Sequence, residues 1–422
     1  MNLFSHQTML QLIMTGCLSV FIASVEANDR GTPWKINVID DSSRGADGVK
    51  LSDIDGDGLL DLTTGWEEGG LTRIYRNPGP DESKMIWPAL TVGRTPHVED
   101  AAWIDLDRDG RKEVVSCCEG KTRSIFVHWP PADKPFQTPW EQAVLPSSKD
   151  KMMWMFAIPA NLDAQAGMEL VAAGKGPGAE IGWFSPGENP RDLAQYQWHS
   201  VSPAGWIMSL YAIDMDGDGD QDLLTTDRKG KLRGCRWLEN PGPDKVNQNH
   251  QWKNHWIGGR DREVMFAHPT DLDQDGLEDI LVVSRAPDEV HWFRRLNRSG
   301  LKWDHRVIPY PENTGGGKGV AAGDLNGDGL LDLVLSCEHA EPPKSGMIWL
   351  RGSHKGDQFS WEPHEISGPR GIKYDRIELL DLDADGDLDV ICCEERHQKR
   401  GLGLFWYENP HQSPAQKKNS SR

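Results

Sequence analysis

Long apolar runs are scarce in this chain. Only residues 9–25, "MLQLIMTGCLSVFIASV", are long and apolar enough to act as an export or membrane element. They stand ahead of "VEA" (25–27) and read as a secretory signal cleaved after Ala27, although no Lys or Arg precedes them. An uncleaved N-terminal membrane anchor is the alternative. Nothing after the signal is expected to span a membrane, so a secreted or periplasmic location follows. No dense Lys/Arg stripe occurs, which argues against nucleic acid as a partner. There is no CxxC and no zinc-type cluster. Cys117–Cys118 and Cys392–Cys393 are adjacent pairs that cannot easily bridge internally. Buried free thiols are expected, with a Cys337–Cys393 bridge as the alternative. No nucleophile elbow, cofactor loop or catalytic-triad motif is visible. Phe and Tyr are few, and 18 of the 34 aromatic residues are Trp. The tail, residues 411–422, is polar and expected to be disordered.

What is present repeats. "DIDGDGLLD" (53–61) places Asp53, Asp55, Asp57 and Asp61 at positions 1, 3, 5 and 9 of one short loop. "DLDRDGRKE" does the same with Asp105, Asp107, Asp109 and Glu113, and "DMDGDGDQD" with Asp214, Asp216, Asp218 and Asp222. "DLDQDGLED" supplies Asp271, Asp273, Asp275 and Asp279, and "DLNGDGLLD" supplies Asp324, Asn326, Asp328 and Asp332. "DLDADGDLD" supplies Asp381, Asp383, Asp385 and Asp389. A degenerate copy, "NLDAQAGME" (161–169), has Gln165 at position 5 and Ala166 where the others have Gly, so it should be weak or empty. Like charges crowded at this spacing make sense around a hard cation with many oxygen ligands, and calcium suits a flexible carboxylate-rich loop better than magnesium. The seven loops hold 25 carboxylates at these positions; without them a net charge of −19 becomes +6. The acidity is therefore local, and ions can neutralise it.

The loops start 52–57 residues apart, a period that fits propeller blades. Tryptophans recur in phase at 34, 87, 140, 198, 252, 303 and 361, most of them heading a short strand. A third series, "RWLENPGP" (236–243), is echoed by "FWYENP" (405–410), "IYRNPGP" (74–80) and "GWFSPG" (182–187). Each period reads as four strands. The first Trp-headed strand precedes any acidic loop, and the last period stops without one. The N-terminal strand should therefore complete the seventh blade, with Trp34, Ile36 and Val38 on one half-buried face. The expected fold is all-β: a seven-bladed β-propeller of four-stranded antiparallel blades over residues 28–410.

With these loops and this period, the chain resembles FG-GAP/VCBS-type repeat proteins and the calcium-bearing propeller of integrin α-subunits. It is also similar to the propeller of aldos-2-ulose dehydratases, a sugar-processing family, in its "ENP" and acidic-loop patterns. The resemblance covers residues 34–410 and implies calcium in about six loops, between the first and second strands of blades. It implies little about activity, because the fold hosts lectins, adhesins, lyases and other enzymes.

Two further series mark a ligand site. Fourteen residues after each loop's first position stand Glu67, Glu119, Lys175, Arg228, Arg285, Glu338 and Glu395. Six residues before it stand Asp47, Glu99, Met155, Met208, Met265, Lys318 and Asp375. Both sets should ring the channel mouth opposite the acidic loops, with a basic arc facing an acidic one and the three methionines lining the basic side. His97, His339 and His397 fall in loops of the same face, where a second divalent metal could sit among His and carboxylates. A secreted propeller binding carbohydrate or another extracellular or cell-surface ligand at that mouth is the first reading. A sugar-active lyase or dehydratase using a base or metal there is the second, and a structural or adhesion scaffold the third.

Overall fold

The computed structural model describes residues 30–164, 168–246, 248 and 252–411. The signal (1–27), the tail after residue 411 and residues 165–167 of the degenerate loop lie outside the described residues. Within them are seven four-stranded antiparallel sheets, each built from consecutive strands except the last. Blade one comprises Ala46–Ser52, Asp61–Trp66, Leu71–Tyr75 and Ala89–Arg94. The innermost strands of the next six blades are Val98–Ile104, Met153–Ala160, Ile207–Ile213, Glu263–Thr270, Gly316–Gly323 and Tyr374–Leu380. Each innermost strand packs on that of the next blade, and the seventh packs on the first, so the molecule is a closed seven-bladed β-propeller.

The ring closes with the first strand of the chain. Lys35–Asp40 pairs antiparallel with Gly403–Glu408, the third strand of blade seven. Closure leaves no inner sheet edge open to another chain. The expectation that this strand has one half-buried face needs correction. Ile36 packs into the cluster shared with blade six, while Ile39, fully buried, packs on the other side with Trp66 and Trp87 of blade one. Blades stack face to face, so neighbouring blades cover both faces of a strand.

The tryptophans are packing residues. Trp34 meets Trp349 edge to face at 6.1 Å across the blade-six/blade-seven seam. Trp183, Trp237, Trp292, Trp349 and Trp406, all on third strands, are buried almost completely. The six described cysteines are free and buried, so Cys337 and Cys393 form no bridge.

One irregularity recurs in every blade. The register between first and second strands slips near the start of the inner strand, at Asp47/Lys50, Val98/Asp100, Trp154/Phe156, Ile207/Ser209, Val264/Ala267, Gly317/Gly319 and Tyr374/Ile377. A bulge leaves a residue unpaired and re-aims its side chain. Glu99, Met155, Met208 and Lys318 are the skipped residues in four blades.

Candidate functional site

The acidic loops join first to second strands on one face of the ring. In the six complete copies the Gly at position 6 is left-handed, for example Gly58 at φ 86° and Gly329 at φ 88°, a backbone state costly for other residues. Its N–H donates to the position-1 carboxylate, from Gly58 to Asp53 at 3.0 Å and from Gly329 to Asp324 at 2.8 Å. The position-9 carboxylates are buried and tie the loop to the blade. Asp61 accepts from the N–H groups of Ile54 and Asn77, Asp222 from Met215 and Asn240, and Asp389 from Leu382 and Asn409. This explains the Asn-Pro series. Asn240 and Asn409 also donate through Nδ2 to Leu162 O and Leu325 O in the loops of neighbouring blades, at 3.0 and 2.8 Å.

These loops suit a hard cation. Oxygens of Asp53, Asp55 and Asp57 converge within 4.8 Å of one another, as do those of Asp214, Asp216 and Asp218, and those of Asp105, Asp107 and Glu113. Buried oxygens of Asp105, Glu113, Asp273 and Asp383 have no hydrogen-bond donor. A buried carboxylate oxygen without a partner is costly, and a cation is the partner that several converging ones share. Basic side chains offset part of the charge: Arg76 reaches Asp55 and Asp57 at 2.8 and 3.0 Å, and Lys84 reaches Asp383 at 2.9 Å.

On the opposite face the inner strands surround a mouth cavity of about 290 Å³. Asp47, Glu99, Met155, Met208, Lys318 and Asp375 line it, together with Lys175, Arg228, Glu338 and His339. Met265 is fully buried and Arg285 turns aside, donating to Gly317 O at 3.0 Å and pairing with Glu338. Two uninterrupted arcs of opposite sign are not what the side chains form. Lys175 pairs with Glu99 at 2.9 Å and with Glu119, Arg228 with Glu263, and Lys318 with Glu338 at 3.5 Å. Lys373 pairs with Glu395 inside the acidic arc. These ion pairs, some between blades and some within one, follow from burial, because an unpaired charge in this cavity would be expensive.

Burial shapes the titration here. It pushes Glu99 up to about 8 against the pull of Lys175. Burial, then the nearby charges of Asp375 and Glu395, raise Asp47 well above the usual carboxylate range. Burial opposes ionisation of Asp375 too, but Lys318, a hydrogen bond from Asp47 and Lys373 hold it well below that range. Asp47 is thus pushed toward its protonated form beside an Asp375 held toward its ionised form, and their oxygens lie within 4.8 Å of each other. Carboxylates converge at Asp47, Glu67 and Glu99 and at Asp47, Asp375 and Glu395. Of the three histidines, His339 reaches Glu338 at 3.4 Å, His397 Nδ1 accepts from Gly371 N–H at 3.3 Å, and His97 packs beside Gly120.

Sequence reasoning missed Trp206, Lys373, Arg396 and above all Arg376. Arg376 crosses the channel from blade seven to Tyr211 Oη in blade four at 3.3 Å, with its guanidinium over Phe156, Tyr211 and Phe266. Below it a second cavity of about 350 Å³ contains Tyr211, His268, Glu278 and Glu378. The signal was alternation from the bulge: Asp100, Phe156, Phe266 and Arg376 all lie five residues before a loop. Trp206 carries Lys175, Arg228 and Lys229 over its ring at 4.8, 4.7 and 4.4 Å.

Fold and loops together define a seven-bladed β-propeller with an acidic loop in each blade. The chain carries FG-GAP-like repeats: the model of that family matches residues 53–116 and 271–335. A T-cell immunomodulatory protein homolog of Plasmodium falciparum (isolate 3D7) is 26% identical over 238 residues, 49% of this chain. The match spans 32% of that relative, about a third of its length. Among solved structures, BBS1N in complex with ARL6DN superposes with a TM-score of 0.50 at 11% identity, over 90% of this chain and 98% of that one. The V. cholerae biofilm matrix protein Bap1 gives 0.43 at 10% identity, over 91% and 90%. The first of these likenesses concerns the fold alone. Among the described residues no helix is long and apolar enough to cross a membrane.

Proposed function

We propose that this chain is an exported, calcium-stabilised propeller that binds an extracellular carbohydrate carrying an anionic group, such as a uronic acid, at the channel mouth. The observation that carries the reading is the lining of the mouth. Lys175, Arg228, Lys318, Lys373, Arg376 and Arg396 face one cavity, beside the Trp206 ring and the carboxyl groups of Asp47 and Glu99. Cations suit the carboxylate, acidic groups suit hydroxyls, and an indole face suits a sugar ring. Converging loop oxygens without donors support calcium, which millimolar extracellular concentrations would supply. A lyase or dehydratase reading is favoured by the Asp47–Asp375 pair alone, which can take or give a proton beside two lysines.

Calorimetric titration with glucuronate and galacturonate oligomers tests the proposal. Arg228→Glu should abolish binding, whereas Lys245→Glu, on an exposed helix away from the mouth, should leave it unchanged. Equal binding by both variants would rule out the mouth.

A further inference from the structure

Position 7 of the acidic loops is Leu59, Arg111, Leu277 or Leu330 in four blades, but Asp220 in blade four and Asp387 in blade seven. Asp387 is only 6% exposed. Both of its carboxylate oxygens are buried, and no N–H or hydroxyl donor reaches either; only the Asp385 carboxyl lies within hydrogen-bonding reach. Its nearest charges are Asp385, Asp389 and Asp383 of the same loop. Asp220 Oδ1 is also buried without a donor, among Asp218, Asp216 and Asp214. The equivalent leucines put only a backbone N–H into the loop, as from Leu59 to Asp57 at 2.9 Å.

We infer that loops 214–222 and 381–389 form a separate, tighter class of calcium site, in which the position-7 side chain adds a fifth carboxylate. The inference rests on the calcium reading of the loops and extends it to a ranking among them. A carboxylate buried against other carboxylates is stabilised by a proton or by a cation shared among them, and several converging oxygens suit the cation. Affinity in oxygen-ligand sites rises with the number of charged ligands and with rigidity. Asp387 supplies the extra charge, and its burial restricts the room in which the side chain can move. The expected gain over the four-acid loops is at least about tenfold in Kd.

The test uses the full calcium-loaded chain, dialysed against buffers of stepwise lower free calcium, with bound calcium counted by mass spectrometry of the metal. Folding is followed by circular dichroism in the same samples. At saturation at least five ions should be bound. As free calcium falls there should be a plateau at two ions per chain. In Asp220→Asn/Asp387→Asn the plateau should vanish while the saturating number stays the same. Leu59→Asp, which adds the fifth acid to blade one, should move the plateau to three. Release of all ions in one step, or an unchanged plateau in the double variant, would overturn the inference and leave the calcium reading intact. No calcium bound even at saturation would overturn both. If the double variant fails to fold, the Leu59→Asp plateau decides: three ions support the inference, two refute it.

Discussion

Ile39→Ala should loosen the ring where the first strand closes the last blade. Ile39 is fully buried between Trp66, Trp87, Leu404 and Trp406, and it belongs to the strand that closes the last blade. Removing three carbons there opens a cavity that four large, stiff neighbours cannot refill. Such losses run to about 2–5 kcal/mol, and about 3 kcal/mol is a fair value here. Spread over roughly 380 ordered residues at about 2.1 cal/mol/K each, that shifts Tm by only about 4 °C. The local effect is far larger. Hydrogen exchange in Gly403–Glu408, whose ladder to Lys35–Asp40 would open first, should accelerate by roughly 100-fold, the factor that 3 kcal/mol sets. Exchange measured by mass spectrometry on the intact chain reads this directly. Val307→Ala, at a site 46% exposed, serves as control and should stay within about 0.5 kcal/mol of the parent. Unchanged exchange in Gly403–Glu408 would mean that the N-terminal strand does not hold the ring closed.

Three further outcomes are expected. Chelating calcium should lower Tm by several degrees, because binding to the native state alone stabilises it; an unchanged Tm ends the structural-calcium idea. His128 is fully buried and its imidazole is pushed down to about 4, so below pH 6.5 the unfolded chain takes up a proton that the folded chain refuses. Stability from this group is therefore complete above pH 6.5 and falls by about 1.4 kcal/mol per pH unit toward pH 4. His128→Gln should show a smaller loss of Tm between pH 7 and 5, and parallel curves for the two chains would disprove the assignment. Arg376→Met should cost about 3–5 kcal/mol in urea unfolding, since it strips Asp100, Asp375 and Glu378 of a buried cation; a neutral result would show that those acids do not depend on it.

The architecture was legible because it is written at three repeated places: loop, Trp-headed strand and Asn-Pro turn. Seven copies in phase leave little freedom in blade number, and the odd Trp34 strand gives away the closure. The mouth was legible only in outline. Counting from Asp53 and its equivalents located Asp47, Glu99 and Lys175, but a bulge shifts side chains by one position and no residue type announces it. Arg376 escaped for that reason. The Lys373–Glu395 and Arg228–Glu263 pairs escaped because Lys373 and Glu263 sit outside both counted series. The position-9 acids were read as ligands alone, whereas Asp61 and Asp389 also hold the third strand of the blade through backbone N–H groups.

Closure by the first strand also sets a timetable. Lys35 must find Glu408, 373 residues later in the chain. At synthesis rates of about 5–20 residues per second, that partner does not exist for roughly 20–75 s after Lys35 has been made. Throughout that interval the strand carrying Ile36 and Ile39 lacks its ladder and the packing of Leu404 and Trp406, and blade one lacks the blade that closes over its outer side. The newborn chain therefore spends most of its synthesis as an open row of blades with a sticky end. A holding factor, or passage to another compartment before folding, would have to protect that end until the last strand arrives.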